Sequence, residues 1–204
     1  MKNDIVTFIG EPGSGKSTMM NYLNGYIKIS SAQILLNEGY NLSNGELIDD
    51  KIVVNLLLKE INKINSNIIL DGFPRTVMQL KELVYNNIYI DKVYKVCTPY
   101  DVILDRIKKR LTCINCHESF TIDGFKKPIF DGICDYCGGK LIKRDDDNIE
   151  IFKKRLEIYK NCIIPLVEEY KKLSIPIIEI DGLSDSSVFF QNNKEKEKRL
   201  IKKI

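Results

Sequence analysis

The sequence has little net charge, no long apolar run and a single histidine. Its 31 basic and 28 acidic residues leave a formal charge of +3, too small to indicate nucleic acid or a membrane surface as the partner. No stretch approaches the roughly 20 apolar residues of a membrane helix. The first residues, MKND, lead into a short apolar run, unlike the start of a signal peptide. We therefore expect a cytoplasmic protein with neither nucleic acid nor membrane as a partner.

Internal repeats and low-complexity linkers are also missing. A chain of 204 residues that is 44% apolar and 29% charged is typical of one soluble core with one or two appendages. Short β-rich runs alternate with helical patterns, which predicts an α/β fold with a parallel sheet. The predicted strands are 5–9, 26–29, 67–70, 93–97 and 177–180. The predicted helices begin near Gly15, Ser31, Asp49, Thr76, Pro99, Asn148 and Asp185.

The segment 10–17, GEPGSGKS, satisfies the phosphate-binding pattern G-x-x-x-x-G-K-[ST] and follows the first predicted strand. Glycines let the backbone N–H groups approach phosphate oxygens, and the next helix adds its positive end. Lys16 is expected to neutralise the outer phosphates, and the Ser17 hydroxyl can reach Mg²⁺. Asp71 ends another apolar strand and can hold a water bound to the same Mg²⁺. The pattern predicts ATP or GTP binding and leaves the reaction open.

Four of the six cysteines form two CxxC pairs separated by seventeen residues, Cys113 with Cys116 and Cys134 with Cys137. In a reducing compartment this spacing favours a four-thiolate structural metal site over disulfides. Zn²⁺ suits such a site best, with iron as the alternative. His117 adjoins Cys116, and we interpret it as an exposed turn residue. Cys97 and Cys162 have no CxxC partner and are predicted to be buried apolar fillers.

Three further segments carry weaker patterns. A helix is predicted over 149–173, and Pro165 should end or bend it. The aspartates at 145–147 precede that helix, where acidic groups complement its dipole, and we expect them to act at a hinge or to pair with Arg106 or Arg110. The charge run at 191–204 is predicted to be a solvated C-terminal helix.

LDGFPRT at 70–76, together with GEPGSGKST at 10–18, resembles the adenylate kinase family of nucleoside monophosphate kinases. The resemblance continues in order through Arg106, Arg110, the cysteine module and the run KKRLEIY, and it ends at 181–182. It implies a P-loop three-layer fold with a five-stranded parallel sheet, a zinc-containing lid and a monophosphate-binding arm. The implied divisions are core 1–29, arm 30–55, core 56–109, lid 110–146 and core 147–204.

The resemblance also implies the reaction and its residues. The γ-phosphoryl of ATP would pass to AMP and yield two ADP, with Mg²⁺ and a structural Zn²⁺, and we expect a monomer. Residues matching the ATP site are Gly13, Ser14, Gly15, Lys16, Ser17, Thr18, Arg106, Arg110, Ser119, Phe120 and Ser184. Those matching the monophosphate site are Ser31, Glu46, Leu47, Ile48, Gly72, Phe73, Arg75, Gln79, Arg144 and Arg155. Phosphoryl transfer depends on charge neutralisation, so the expected catalytic cations are Lys16, Arg75, Arg106, Arg110, Arg144 and Arg155.

Two positions depart from the family pattern. Ser17 follows the P-loop lysine where the family generally has glycine, and it restores a Mg²⁺ ligand common in other P-loop kinases. The family's arm reads S-T-G-D-M-L-R, whereas residues 30–36 are SSAQILL, so the arginine that clamps the acceptor phosphate falls on Leu36. The arm also looks shortened. Losing one charge-assisted contact costs about 1.5–3 kcal/mol, which predicts weak AMP affinity or a different acceptor.

Two other classes of function stay open at this point. A non-catalytic adenine-nucleotide sensor would bind ATP and close its lid without turnover, and detection of ADP from ATP plus AMP would separate it from a kinase. A zinc-ribbon nucleic-acid binder with a P-loop motor is permitted by the aromatic and lysine residues of the lid. The DGFPR run has no role in that alternative.

Overall fold

The computed structural model describes residues 3–42, 48–124, 126–144 and 147–184. At its centre is a sheet of five parallel strands, as the alternation of elements predicted. These are β1 (Ile5–Ile9), β2 (Tyr26–Ser30), β3 (Asn67–Asp71), β4 (Lys92–Cys97) and β8 (Ile177–Asp181). The spatial order β2-β3-β1-β4-β8 places β1 in the middle, so the phosphate-binding loop leaves the sheet beside the carboxyl end of β3.

Six helices connect these strands. They are α1 (Lys16–Met20), α2 (Ser31–Asn37), α3 (Asp50–Ile61), α4 (Val77–Tyr85), α5 (Tyr100–Lys109) and α6 (Ile149–Lys172). Side chains cap several N-termini by accepting from a backbone N–H, among them Asp49 for α3, Thr76 for α4 and Asn148 for α6. The predicted starts at these three helices therefore lie on the caps.

Alternation along β1 assigns its side chains to two faces of the sheet, which produces two apolar layers. Val6 and Phe8 pack against the α1 side with Met19 and Met20. Ile9 faces the opposite layer, which is filled by α3, α4 and α6. Because both faces are covered, the polar chemistry is confined to the ends of the strands, as is usual for parallel sheets.

A second, antiparallel sheet is inserted between α5 and α6. It consists of β5 (Arg110–Cys113), β6 (Ser119–Thr121) and β7 (Leu141–Ile142), in the order β6-β5-β7. Two loops that carry the CxxC pairs have the same form. In each, the residue after the second cysteine has positive φ and donates its N–H to the carbonyl of the first: His117 to Cys113 and Gly138 to Cys134. We call this insertion the lid.

The expectation that Pro165 ends or bends α6 nearby is wrong as regards the end, since the helix runs through Pro165 to Lys172. A proline removes the hydrogen bond to the carbonyl four residues earlier, here that of Asn161. Asn161 and Pro165 are both exposed, so water can satisfy the carbonyl. Leu166 and Tyr170 are fully buried beyond the proline, and their packing holds the last turns in place.

Several predictions fall on residues outside the described part of the chain. These are Glu46 and Leu47 of the arm, Asp145 and Asp146, and the tail with its helix near Asp185. Among the helices within the described residues, none has both the length and the apolar composition required to cross a bilayer.

Candidate active site

A cleft of about 1870 Å³ opens at the carboxyl end of the sheet, between the P-loop, α2 and the lid. Parallel strands bring the ends of β1 and β3 together there, which accounts for the proximity of the P-loop and Asp71. All six cations expected from the sequence line this cleft: Lys16, Arg75, Arg106, Arg110, Arg144 and Arg155. The fold thus gathers residues from five separate stretches of sequence around one space.

The P-loop between β1 and α1 is shaped by close packing beneath it. Gly13 has a φ of 82°, and a Cβ there would lie 3.0 Å from Ile103 and 3.1 Å from Ile107 of α5. A larger residue would be strained and would push the loop away from α5. The Lys16 ammonium donates to the carbonyls of Gly10 at 2.8 Å and Glu11 at 2.9 Å, so it is held over the loop. Ser17 and Thr18 line the cleft, whereas the Ser14 side chain is buried.

The electrostatic setting of Lys16 is unusual for a lysine. Its pKa is lowered to about 8, mainly by desolvation and also by the positive charges of Arg75, Arg155 and Arg110, while the Asp71 charge acts in the opposite direction. Arg75 on the turn after β3, Arg155 of α6 and Arg110 of the lid therefore lie near enough to Lys16 to repel it. A site with this excess of positive charge favours polyanions such as nucleotide phosphates.

A pH dependence of ATP use follows from the lowered pKa of Lys16. The protonated ammonium is the form that neutralises phosphates, so kcat/KM for ATP should be constant near pH 7 and fall above about pH 8. Well above the pKa of Lys16, kcat/KM should decrease about tenfold for each further pH unit. A lysine with an ordinary pKa of about 10.4 would keep the profile flat beyond pH 9. Initial rates over pH 6.5–9.5 at saturating acceptor test this expectation, and a flat profile would contradict it.

Arg106 of α5 joins the P-loop to the segment after β8. Its guanidinium donates to the Ser14 carbonyl at 3.1 Å and to the Gly182 carbonyl at 2.9 Å. The Thr98 hydroxyl donates to the same Ser14 carbonyl at 2.8 Å. Desolvation lowers the pKa of Arg106. Ser184, also expected at the ATP site, lines the cleft and donates its hydroxyl to the Asp181 carbonyl.

The base of the lid is held by Arg110, the first residue of β5. Its Nε and Nη2 both donate to the Asp147 carboxylate, with Nε at 2.9 Å from Oδ2. Asp147 is the one described member of the aspartate run, and its pairing with Arg110 confirms that expectation for this residue. Ser119 and Phe120 both line the cleft from the lid. The Phe120 ring also packs in the lid core, against Tyr136 and beneath Lys126.

The turn after β3 presents a second group of expected residues. Arg75 donates through Nε to the Gly72 carbonyl at 2.8 Å. Desolvation lowers the pKa of Arg75, and the Asp71 charge opposes that change. The Ser31 hydroxyl, at the start of α2, donates to the carbonyls of Asp71 and Gly72. These bonds connect the first turn of the arm to the turn that carries Arg75.

Three residues expected at the monophosphate site lie behind the cleft wall. Phe73 is 1% exposed within the core, and Ile48 packs against the same layer. Gln79 is 2% exposed, and both ends of its amide are engaged. It accepts from the Arg75 N–H at 2.6 Å and donates to the Asp50 carboxylate at 2.7 Å. In this arrangement Gln79 supports the turn of Arg75 and does not face the cleft.

The four lid cysteines form a cluster that fits a metal ion. Their sulfur atoms all lie within 4.8 Å of one another, and the shortest pairs are Cys113 to Cys137 at 3.4 Å and Cys116 to Cys134 at 3.5 Å. A tetrahedral zinc site with Zn–S of about 2.3 Å has sulfurs about 3.8 Å apart. A Cβ at Gly139 would lie 2.8 Å from the Cys113 sulfur. Any residue larger than glycine at this position would therefore collide with the sulfur.

The four thiols influence one another's ionisation. Burial opposes ionisation of Cys113, but N–H groups of Cys116 and Asn115 donate to its sulfur, and its pKa falls to about 6. Burial and the neighbouring sulfurs raise the pKa of Cys116 to about 12. One thiolate therefore suppresses the next, and four together need a metal ion to balance their charge. The quartet is compatible with Zn²⁺.

The single histidine and the two other cysteines lie outside this cluster. His117 is exposed, as expected. The prediction that Cys97 and Cys162 are buried fillers is wrong: Cys97 is exposed and Cys162 is only half-buried. Cys97 is the last residue of β4, and Cys162 lies on α6 and lines the cleft.

Sequence reasoning missed three residues that shape the site. Thr98 and Asp50 act through hydrogen bonds to Ser14 and Gln79, and no motif contains them. Lys28 of β2 lines the cleft and forms an ion pair with Asp71 at 3.1 Å. The sequence contained a signal for Lys28. Residues 29–50 contain neither lysine nor arginine, so Lys28 is the last cation before this stretch.

A cleft lined by a phosphate-binding loop and by five arginines suits an enzyme that holds two phosphorylated substrates at once. Together with the strand order, this arrangement defines a P-loop phosphotransferase of the nucleoside monophosphate kinase type.

Comparison with known proteins identifies the family. A family model described as adenylate kinase matches residues 8–175. The adenylate kinase of Pyrococcus horikoshii is 35% identical over 195 residues, which cover 87% of this chain and 88% of that protein. The adenylate kinase of Methanosarcina mazei is 34% identical over 210 residues, which cover 93% and 96%. That of Caldicellulosiruptor bescii is 34% identical over 190 residues, which cover 83% and 88%. The chain belongs to the adenylate kinase family.

Proposed function

We propose that this chain transfers the γ-phosphoryl group of ATP to a nucleoside monophosphate, with AMP as the first candidate and two ADP as products. The observation that supports this most directly is the lining of one cleft by Lys16 and five arginines. Two nucleotides bring many negative oxygens into one space, and a surrounding set of cations is what their transfer chemistry requires.

The donor side of the proposal rests on the P-loop. Its backbone N–H groups and the Lys16 ammonium bind the outer phosphates of ATP, and Arg106 keeps the loop fixed through the Ser14 carbonyl. Ser17 and Asp71 are the residues that would hold Mg²⁺. Mg²⁺ held there would supply positive charge to offset the charge that develops in the transfer.

The transfer itself asks little covalent chemistry of the protein. The acceptor phosphate is already ionised, so no residue has to remove a proton from it. Arg75, Arg144 and Arg155 orient the acceptor phosphate and the moving group from the side opposite Lys16, and fixed positive groups lower the energy of the spread charge in the transition state. The short distance required between donor and acceptor is the reason that both must share one cleft.

The lid has two roles in this proposal. It covers ATP and excludes water, which would otherwise accept the phosphoryl group. It also brings Arg110 and Arg144 to the cleft from the two ends of the insertion, with Asp147 orienting Arg110. Cys113, Cys116, Cys134 and Cys137 would hold a structural Zn²⁺ that keeps the lid folded. We propose the same core, arm and lid boundaries as above, and a monomer in the cytoplasm.

The acceptor side is where this chain departs from its family's arm. Leu36 lines the cleft and is 40% exposed, at the position where the resemblance places the phosphate-clamping arginine. An alkyl side chain there offers no hydrogen bond to a phosphate. We therefore propose that AMP binds weakly or that another monophosphate is preferred.

An acceptor panel tests the proposed function. Purified protein with MgATP is assayed for ADP formation with AMP, dAMP, GMP, CMP or UMP, and ATP alone is the control for hydrolysis. We expect acceptor-dependent ADP formation, with a KM for AMP well above the micromolar range or a lower KM for another base. A micromolar KM for AMP would contradict the weak-acceptor prediction. ATP binding without ADP formation from any acceptor would favour a nucleotide sensor.

A further inference from the structure

We propose that Lys28 is the arm-side residue that binds the acceptor phosphate in this chain, in place of an arginine in α2. This inference rests on the proposed function, because it assigns a residue to the acceptor site of the same cleft. It depends on three observations: where Lys28 lies, which other cations are available, and what its ammonium contacts.

The position of Lys28 places it on the acceptor side. It lies on β2, the edge strand that continues directly into α2, and the intervening strand β3 separates it from β1 and the P-loop. Its side chain reaches along the sheet toward the carboxyl edge, where the paired residues Ser30 and Asp71 lie side by side. Lys28 and Lys16 therefore approach Asp71 from opposite sides, one from the arm and one from the P-loop.

Among the described residues of the arm, 30–42 and 48–55, no cation lines the cleft. The chain has no lysine or arginine from residue 29 to residue 50, and the next cation along the chain, Lys51 of α3, is exposed and does not line the cleft. The α2 side chains that line the cleft are neutral: Ala32, Gln33, Ile34 and Leu36. A monophosphate carries up to two negative charges, and burying it against neutral side chains alone is costly. Lys28 is the nearest source of compensation from the arm.

The contacts of Lys28 leave it able to bind a phosphate. Its ammonium has three N–H donors, and its ion pair with Asp71 is 3.1 Å long. The side chain is 35% exposed and lines the cleft. On the neighbouring turn Arg75 donates to the Gly72 carbonyl, so the ammonium and the guanidinium flank two consecutive residues. A phosphate bound in the cleft next to this turn can be contacted by both the Lys28 ammonium and the Arg75 guanidinium. The Asp71 carboxylate keeps the ammonium oriented.

Substitution of Lys28 by glutamine is the test. We expect Lys28→Gln to raise the KM for the best acceptor of the panel about tenfold or more, with the KM for ATP changed less than twofold. Lys28→Arg keeps the positive charge, so its KM for the acceptor should stay within about threefold of the wild-type value. Lys95→Gln is the matched control: Lys95 also lies on a strand, is 37% exposed and pairs with Glu179 at 2.7 Å, but it does not line the cleft.

A role through Asp71 alone gives a different pattern. Lys28→Gln would then raise the Mg²⁺ concentration needed for half-maximal rate and lower kcat, with the acceptor KM unchanged, and the proposal would be overturned. Equal acceptor KM values for Lys28→Gln and Lys95→Gln would also overturn it. Both results leave the proposed kinase function in place, because the wild-type protein would still be active.

Calorimetry separates failure of this inference from failure of the proposed function. AMP, dAMP, GMP, CMP and UMP are each titrated into the wild-type protein and into Lys28→Gln. If the wild type binds a monophosphate but transfers nothing to it, the proposed function fails, and weaker binding to Lys28→Gln by about tenfold still supports the phosphate role of Lys28. Equal binding by both proteins overturns that role. Absence of binding for all five compounds overturns both.

Discussion

Replacement of Lys16 by methionine is expected to reduce kcat for phosphoryl transfer by about a thousandfold. The Lys16 ammonium is held over the P-loop, 2.8 Å from the Gly10 carbonyl and 2.9 Å from the Glu11 carbonyl. Methionine has a similar length and no charge. Removing a preorganised group that stabilises transition-state charge costs about 10²–10³ in rate, and a P-loop lysine faces more charge than a single oxyanion. Steady-state rates with saturating ATP and acceptor measure the effect.

The fold should survive this substitution, which makes the result interpretable. Desolvation is the largest cause of the lowered pKa of Lys16, so burial disfavours the charged form of this side chain. Removing the charge should therefore not lower the midpoint of thermal unfolding. Lys95→Met, on the exposed side of β4, is the control and should retain full activity. A Lys16→Met variant with a tenth or more of the wild-type rate would exclude the proposed role of the P-loop.

Replacement of Cys134 by serine should unfold the lid and leave the core intact. Within the described part of the lid, the buried cluster contains Phe120 and Leu141 besides Cys113 and Cys134, with Leu111 packed against it. So small a buried cluster cannot offset the conformational entropy that the insertion loses when it folds. A four-thiolate Zn²⁺ site would supply much of the missing folding free energy, as structural zinc does in small domains.

The expected result has three parts. Bound zinc should fall from one per chain to nearly none, turnover should fall about a hundredfold because the lid no longer covers ATP, and ATP binding at the P-loop should change only a few-fold. Metal analysis, kinetics and hydrogen exchange of the lid amides measure these quantities. Cys97→Ser, which removes an exposed thiol outside the quartet, should resemble the wild type. Full activity and normal lid protection in Cys134→Ser would contradict a structural metal.

The lid and the P-loop are stabilised by different interactions. For this reason Lys16→Met is expected to affect catalysis, whereas Cys134→Ser is expected to affect folding of the lid. The P-loop is held from below by Ile103 and Ile107 of α5 and from the side by Arg106. It therefore belongs to the cooperative core, and changes in it alter chemistry. The lid is attached through α5, α6 and the Arg110–Asp147 pair. It can lose its structure locally, as segments with few buried apolar contacts do.

Much of the fold could be predicted from the sequence because its signals are local. The predicted strands 5–9 and 67–70 match β1 and β3 to within one residue, since their apolar runs end at turn residues. The helix starts at Asp49, Thr76 and Asn148 coincide with side-chain caps. Pro165 misled because a proline's local cost was outweighed by the burial of Leu166 and Tyr170, which only the packed structure contains.

The P-loop and the cysteine quartet were readable from the chain alone, because glycine conformations and CxxC spacing act over a few consecutive residues. The partners of side chains on different strands were not readable in this way. The ion pair of Lys28 with Asp71, the enclosure of Gln79 by Asp50 and the exposure of Cys97 depend on which strands pair and in which register. Register is decided when distant segments pack together, so these features of the candidate site were determined by the tertiary structure.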